Sequence, residues 1–245
     1  MAKKRRKKQS KAIPVLVAIA LIIIIGGIGL GTGILSKYSY SKETMDLKKY
    51  FNIEKNDEVA IVLQNEHIET KAKLHQGVYY LDFDAVQDLL NDRFYHDVAE
   101  GLLLYTTPTE IIRTTVGSDV YTVGDETVNA GYVTSFYEGE VLYVAMDYVR
   151  NYTNFSYEPY TEPNRMQLTT KWDETTPAVV KKNTQIRYRG GVKSDILREV
   201  EKGEVVTVLE QFDNWTKVKT YDAYIGFVPS RTLKKMETAI PSVEP

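Results

Sequence analysis

The stretch YLDFDAVQDLLN at residues 80–91 recurs as YVAMDYVRNYTN at residues 143–154. Apolar residues stand at helical spacing in the first copy, so each copy predicts a short helix, with Asp84 and Asp147 as its N-caps. Strand candidates follow at 102–107 and 166–170. Residues 46–172 are therefore predicted to be an α+β domain in which a strand–helix–strand unit is used twice.

This duplicated pattern resembles the copper amine oxidase N-terminal-like domain of Firmicute surface proteins. The resemblance implies an accessory α+β module, and the family name does not imply copper or oxidase chemistry. The helix openings depart from the family's usual Val-Pro-Leu-Arg, since they are Leu81-Asp-Phe-Asp84 and Val144-Ala-Met-Asp147.

Short strand candidates dominate residues 178–235, at 184–188, 204–209, 216–219 and 223–229, with turn residues between them. This spacing is typical of a small all-β barrel. Three motifs make the region similar to bacterial SH3-like domains: Ile186-Arg-Tyr-Arg-Gly-Gly191, Asn214-Trp-Thr-Lys-Val218 and Ile225-Gly-Phe-Val228. The third motif departs from the family's Gly-Trp-Val.

The SH3-like resemblance implies binding rather than catalysis. Its candidate ligand contacts are Tyr188, Trp215, Tyr224 and Phe227, because exposed aromatic side chains offer large, stiff contact areas. The alternative is that these rings are core or strand residues of a small barrel.

An uncharged run covers residues 12–36, and its 13–35 segment predicts a transmembrane helix of about 35 Å. A basic cytoplasmic stub (1–12) precedes it and a polar stalk (36–45) follows, so the bulk of the chain is expected outside the cell membrane. A cleavable signal peptide is the alternative, but the run is long for one. Two G-x-x-x-G pairs in the segment suggest helix packing and a possible homodimer, although glycine is also simply tolerated in membrane helices: Gly27, Gly29, Gly31 and Gly33.

Charge and composition exclude several function classes. Seven of the 31 basic residues lie in the first eleven positions, so the remainder carries 24 basic against 33 acidic residues. An acidic folded part argues against nucleic-acid binding. The absence of cysteine excludes disulfides, thiol catalysis and cysteine-based zinc sites. The three histidines are scattered, no nucleophile or phosphate-loop motif occurs, and we expect neither metal nor cofactor.

The domain order favours a membrane-anchored, non-catalytic protein that binds or scaffolds cell-wall peptidoglycan. Residues 236–245 are predicted to be a linker tail. The order also resembles the N-terminal half of Firmicute envelope proteins that carry a glycosyl hydrolase family 18 barrel. An alternative is therefore the targeting half of an enzyme acting on N-acetylglucosamine-containing polymers. A weaker alternative is an interaction protein that binds another envelope protein.

Overall fold

The computed structural model describes residues 39–236, which are mostly β-sheet with few helices. The α-helices among them are short: α1 (Leu47–Tyr50), α2 (Phe83–Leu89) and α3 (Met146–Arg150). A single 3-10 turn covers Ser230–Thr232. Residues 43–236 pack as one compact unit, in which two lobes can be distinguished by their sheets.

The first lobe contains two sheets. Its strands are β1 (Glu58–Leu63), β2 (Glu66–His75), β3 (Val78–Asp82), β4 (Phe94–Asp97), β5 (Leu102–Thr106), β6 (Ile111–Thr115), β7 (Val120–Val123), β8 (Glu126–Asn129), β9 (Ser135–Glu138), β10 (Val141–Ala145), β11 (Ser156–Tyr160) and β12 (Arg165–Thr169). Seven of these strands form a sheet in the order β11-β12-β1-β2-β3-β10-β9, in which only β1 and β12 run parallel. Strands β4 to β8 form a separate antiparallel meander.

The second lobe is a small β structure. Its strands are β13 (Pro177–Val180), β14 (Thr184–Arg187), β15 (Ile196–Val200), β16 (Val205–Gln211), β17 (Trp215–Lys219), β18 (Ile225–Pro229) and β19 (Leu233–Lys235). They form one sheet in the order β15-β14-β18-β17-β16-β13-β19. This agrees with the all-β region predicted from residue 178 onward.

The sequence repeat corresponds to local two-fold pairing in the first lobe. Strands β3 and β10 pair antiparallel, with Leu81 opposite Val144 and Tyr80 opposite Ala145. Leu81 and Val144 occupy the same repeat position, and neither is exposed to solvent. The strand–helix part of the repeat is thus duplicated in space. The following strands are not equivalent, because β5 belongs to the meander and β12 to the seven-stranded sheet.

The predicted N-caps are wrong, because both helices begin earlier than expected. Asp82 caps α2, and its carboxylate accepts a hydrogen bond from the Ala85 N–H at 2.8 Å. Ala145, at the same repeat position, precedes α3 and supplies no side-chain cap. Asp147 lies within the first turn of α3 and accepts the Tyr157 hydroxyl at 2.9 Å. Each helix starts directly after its strand ends, where the backbone of the capping residue is still extended. The acidic residue two positions further along, Asp84 or Asp147, does not set the start.

Strand β1 is buried on both faces and joins the two lobes. Val59 and Ile61 belong to the core of the first lobe, between the seven-stranded sheet, the helices and the meander. Ala60 and Val62 belong instead to the core of the second lobe. This explains why the strand is apolar at every interior position, since a strand covered on both sides shows no polar alternation.

The second lobe's core also draws on residues before β1. Phe51 and Ile53, which follow α1, pack with the barrel strands. In addition, the backbone N–H of Met45 donates to the Ile196 carbonyl at 2.8 Å, next to the edge strand β15. The domain boundaries at 46–172 and 178–235 remain a prediction.

No helix among residues 39–236 combines the length and apolar character needed to cross a membrane. The predicted stub, the membrane segment 13–35 with the four glycines of its G-x-x-x-G pairs, and the tail from residue 237 lie outside the described residues.

Candidate functional site

An aromatic face lies on the outside of the second lobe, formed by Phe212, Trp215 and Phe227. On β17, Thr216 and Val218 point into the core, so Trp215 points outward. Phe227 on β18 lies opposite Lys217 and shares this outer face. The Phe212 ring lies 5.9 Å from the Phe227 ring between centroids, and Phe212 is 43% exposed.

Gly190 fits against two rings of the aromatic face. A Cβ at Gly190 would lie 3.3 Å from the Trp215 Cγ and 3.4 Å from the Phe227 Cδ1. The loop after β14 therefore brings its backbone against these rings, and a side chain there would push the loop away. Trp215 and Phe227 therefore form a half-buried pair that is held in place by the loop. Phe212 lies beside this pair and is exposed to solvent.

The other two predicted contacts, Tyr188 and Tyr224, lie elsewhere. Tyr188 is 39% exposed, but its ring meets that of Tyr50 in α1 at 6.0 Å. Tyr224 is only 5% exposed and belongs to the core of the second lobe, so its predicted surface position is wrong. The physical reason is that the first lobe covers this side of the barrel.

Arg165 packs over Tyr224. Its guanidinium lies 4.4 Å from the centre of the Tyr224 ring. The same group donates to the Asp222 carbonyl at 2.9 Å and to the Thr161 carbonyl at 2.8 Å. Because Arg165 is on β12 and Asp222 precedes β18, this buried group links the two lobes. The Tyr50 hydroxyl also bridges the lobes, because it accepts the Ile225 N–H at 3.0 Å and lies 2.8 Å from the His67 Nε2 atom on β2.

A polar groove of about 540 Å³ lies between the lobes. Its walls come from the turn at 64–66, from the end of β12 with the connector at 167–176, and from the β16–β17 hairpin. We call it the inter-lobe groove. Three lysines line it, and none of them takes part in the ion pairs found among residues 39–236: Lys171, Lys217 and Lys219.

Lys219 is the innermost charged group of the inter-lobe groove. Its ammonium donates to the Gln64 carbonyl, which also accepts from the Gln167 side chain at 2.9 Å. Burial lowers the pKa of Lys219 to about 8, because desolvation disfavours the charged form. Close by, the Gln167 Oε1 atom is buried and has no hydrogen-bond partner among the described residues. The groove thus holds a partly buried cation that has no carboxylate partner among the described residues, and its wall contains a buried acceptor without a hydrogen-bond partner there.

The aromatic face and the inter-lobe groove are continuous along β17. Trp215, Lys217 and Lys219 alternate with core residues, so all three point to the same outer face. Successive members of this row are about 7 Å apart. A ligand of a few residues or sugars could therefore contact both places at once.

Motif matching found part of this surface and missed the rest. Trp215 and Phe227 were identifiable because they occupy motif positions on neighbouring strands. Phe212 had a weaker signal, as an apolar residue directly before the Asp213–Asn214 turn. The groove had none, because its walls come from three stretches far apart in sequence.

Each of the three histidines lies within the described residues. Within residues 39–236, no group of three or more histidine or acidic residues is placed to share a metal ion. His67 lies 2.8 Å from the Tyr50 hydroxyl, and His96 contacts the Tyr137 hydroxyl.

Comparison with known proteins identifies one region. Residues 182–234 match the family model of the bacterial SH3 domain. This match contains the whole aromatic face and the β17 side of the inter-lobe groove. No curated protein and no solved structure matched the chain.

Proposed function

We propose that this chain is a membrane-anchored, extracytoplasmic protein that binds cell-wall peptidoglycan through the aromatic face, without a catalytic site of its own. The bacterial SH3 match over residues 182–234 is consistent with cell-wall binding. The observation that carries the proposal is that this region leaves Phe212, Trp215 and Phe227 together on its outer surface. The anchor is proposed from the uncharged run at 13–35 and the basic residues before it.

An aromatic face of this kind suits a binding role. Aromatic rings bury large areas with little loss of conformational entropy, and they pack against sugar rings or peptide backbone. The half-buried Trp215–Phe227 pair is fixed by the Gly190 loop, so little ordering cost is expected on binding. Phe212 is the member whose removal should disturb folding least, because it is the most exposed of the three.

The test is co-sedimentation of the full-length chain with purified peptidoglycan sacculi. We expect Phe212→Ala to weaken binding about tenfold, the loss typical of a central aromatic contact. Tyr95→Ala is the matched control, because Tyr95 is 60% exposed and lies on β4 of the other lobe. The unsubstituted protein and the two variants should have equal midpoints of urea unfolding. Sedimentation no better than that of an unrelated acidic protein would refute wall binding. If Phe212→Ala sediments as well as the unsubstituted protein, the aromatic face is not the binding surface.

A further inference from the structure

The inter-lobe groove has the charge distribution of a binding site for a particular kind of ligand. Its interior holds the Lys219 ammonium, which contacts a carbonyl and no carboxylate. A buried cation without a counter-charge destabilises the folded state, so an anionic partner would relieve an existing cost. A single carboxylate is the smallest group that would do so.

The rim of the inter-lobe groove is mixed but mainly acidic, because its carboxylates outnumber the two lysines Lys171 and Lys217. Four exposed carboxylates line it, from Glu66, Asp173, Glu174 and Glu210. These groups would repel a polyanion such as a phosphate polymer, whose charges could not all avoid them. They would attract a ligand that presents one carboxylate to the interior and an amine to the rim.

The neutral groups of the inter-lobe groove point to a peptide. The Gln167 Oε1 atom is a hydrogen-bond acceptor, so its missing partner must be a donor. The peptide N–H next to a terminal carboxylate is a donor of this kind. A buried acceptor without a partner is uncommon and calls for an explanation. Rotation of the Gln167 amide, which lines the groove, would bring this buried atom to a bound peptide N–H and supply the missing hydrogen bond.

We propose that the inter-lobe groove binds the free carboxylate end of a short, amine-bearing peptide, with Lys219 as the partner of the carboxylate. The inference rests on the proposed function only in its position, since Lys217 connects the groove to the aromatic face along β17. The chemistry of the ligand is argued from the groove alone.

The experiment uses the full-length chain carrying ¹³C-labelled lysine, with the tripeptide Lys-Ala-Ala as free acid and as C-terminal amide. The Lys219 signal is assigned from its loss in Lys219→Met. We expect the free acid to raise the pKa of Lys219 from about 8 towards that of an ordinary lysine. The amide should leave it unchanged and bind about tenfold more weakly, because the charge-assisted hydrogen bond is missing.

Two variants make the result specific. Lys219→Met should bind the acid and the amide equally, whereas Lys235→Met, which alters an exposed lysine on β19, should keep the preference for the acid. Equal binding of acid and amide by the unsubstituted protein would overturn the proposal. So would the absence of binding at millimolar concentration, or an inorganic phosphate that raises the Lys219 pKa and displaces the peptide equally well.

The sacculus and peptide measurements separate the two proposals. If Phe212→Ala loses sedimentation but the peptide does not change the Lys219 signal, wall binding stands and the groove assignment is overturned. A Lys219 signal that responds to the free acid in a protein that does not sediment would keep the groove assignment and overturn wall binding.

Discussion

Replacing Lys219 with methionine should stabilise the ligand-free protein. Methionine keeps most of the side-chain length and removes the charge that burial disfavours. The Gln64 carbonyl would not lose its only partner, because the Gln167 side chain donates to it at 2.9 Å. A substitution that raises stability at a surface groove is expected where a residue is kept for binding rather than for folding.

The magnitude follows from the pKa of Lys219, which burial lowers from 10.5 to about 8. At about 1.36 kcal/mol per pKa unit, the whole lowering of the pKa corresponds at pH 7 to at most about 3.4 kcal/mol of unfolding free energy. Lys219 is only partly buried, so solvent screening reduces this figure. Losing the hydrogen bond to Gln64 removes about 1 kcal/mol more. The expected net gain in the free energy of unfolding is therefore about 1–2 kcal/mol.

The pH dependence has a definite sign. Between pH 8 and pH 10.5 the unfolded chain binds more protons at Lys219 than the folded chain does, so the stability of the unsubstituted protein rises with pH in this window. The advantage of Lys219→Met should therefore be largest below pH 8. By pH 9.5 the charge contribution to it should fall to less than half, since its upper bound there is about 1.4 kcal/mol.

Urea unfolding followed by tryptophan fluorescence measures this difference at pH 7 and at pH 9.5. The two proteins must show equal denaturant slopes, so that a change in midpoint reports stability. A variant that is less stable than the unsubstituted protein at pH 7, or a difference that does not change with pH, would refute the argument that Lys219 is held charged against a desolvation cost.

Two further substitutions test the packing of the second lobe and its contact with the first. Gly226→Ala should cost about 2–3 kcal/mol, because its Cβ would lie 2.6 Å from the Arg187 carbonyl oxygen, whereas Gly191→Ala, with no atom within 4 Å, should change urea stability by less than about 0.5 kcal/mol. Arg165→Lys should cost about 2 kcal/mol or more, because an ammonium cannot reproduce the guanidinium's stacking and several hydrogen bonds, whereas Arg113→Lys should be neutral because Arg113 is an exposed residue of β6. Equal midpoints within either pair would contradict the packing described here.

Strands were predictable where one chemical pattern decided them. Strand β1 (Glu58–Leu63) is one of these, because its apolar, largely β-branched sequence EVAIVL is itself typical of a strand. Strand β2 was not predictable, because its ten residues, EHIETKAKLH, place only Ala72 in the core. Its position between β1 and β3 depends on backbone pairing with both neighbours, which its mostly polar side chains do not announce.

The candidate site was predictable only where it depends on local pattern. Alternation along β17 distinguishes outward Trp215 from inward Val218, but it cannot distinguish a solvated outer face from one that another lobe covers. Tyr224 was misplaced for that reason, because Arg165 on the distant strand β12 packs over its ring. Contacts between lobes depend on tertiary placement, which a single sequence does not show.

The burial of Lys219 is produced by the docking of the two lobes. The hydrogen bond from its ammonium runs from β17 of the second lobe to Gln64 of the first, so the low pKa of Lys219 depends on the lobes being in contact. A ligand that neutralises this cation must then stabilise the docked arrangement relative to any opened one. By linkage, docking increases the affinity for the ligand by the same free energy. The Arg165 and Tyr50 contacts hold the lobes together without the ligand, so the groove is formed in advance and its occupant has little conformational cost to meet. The inter-lobe groove is therefore a property of both lobes, and the bacterial SH3 region supplies only one side of it.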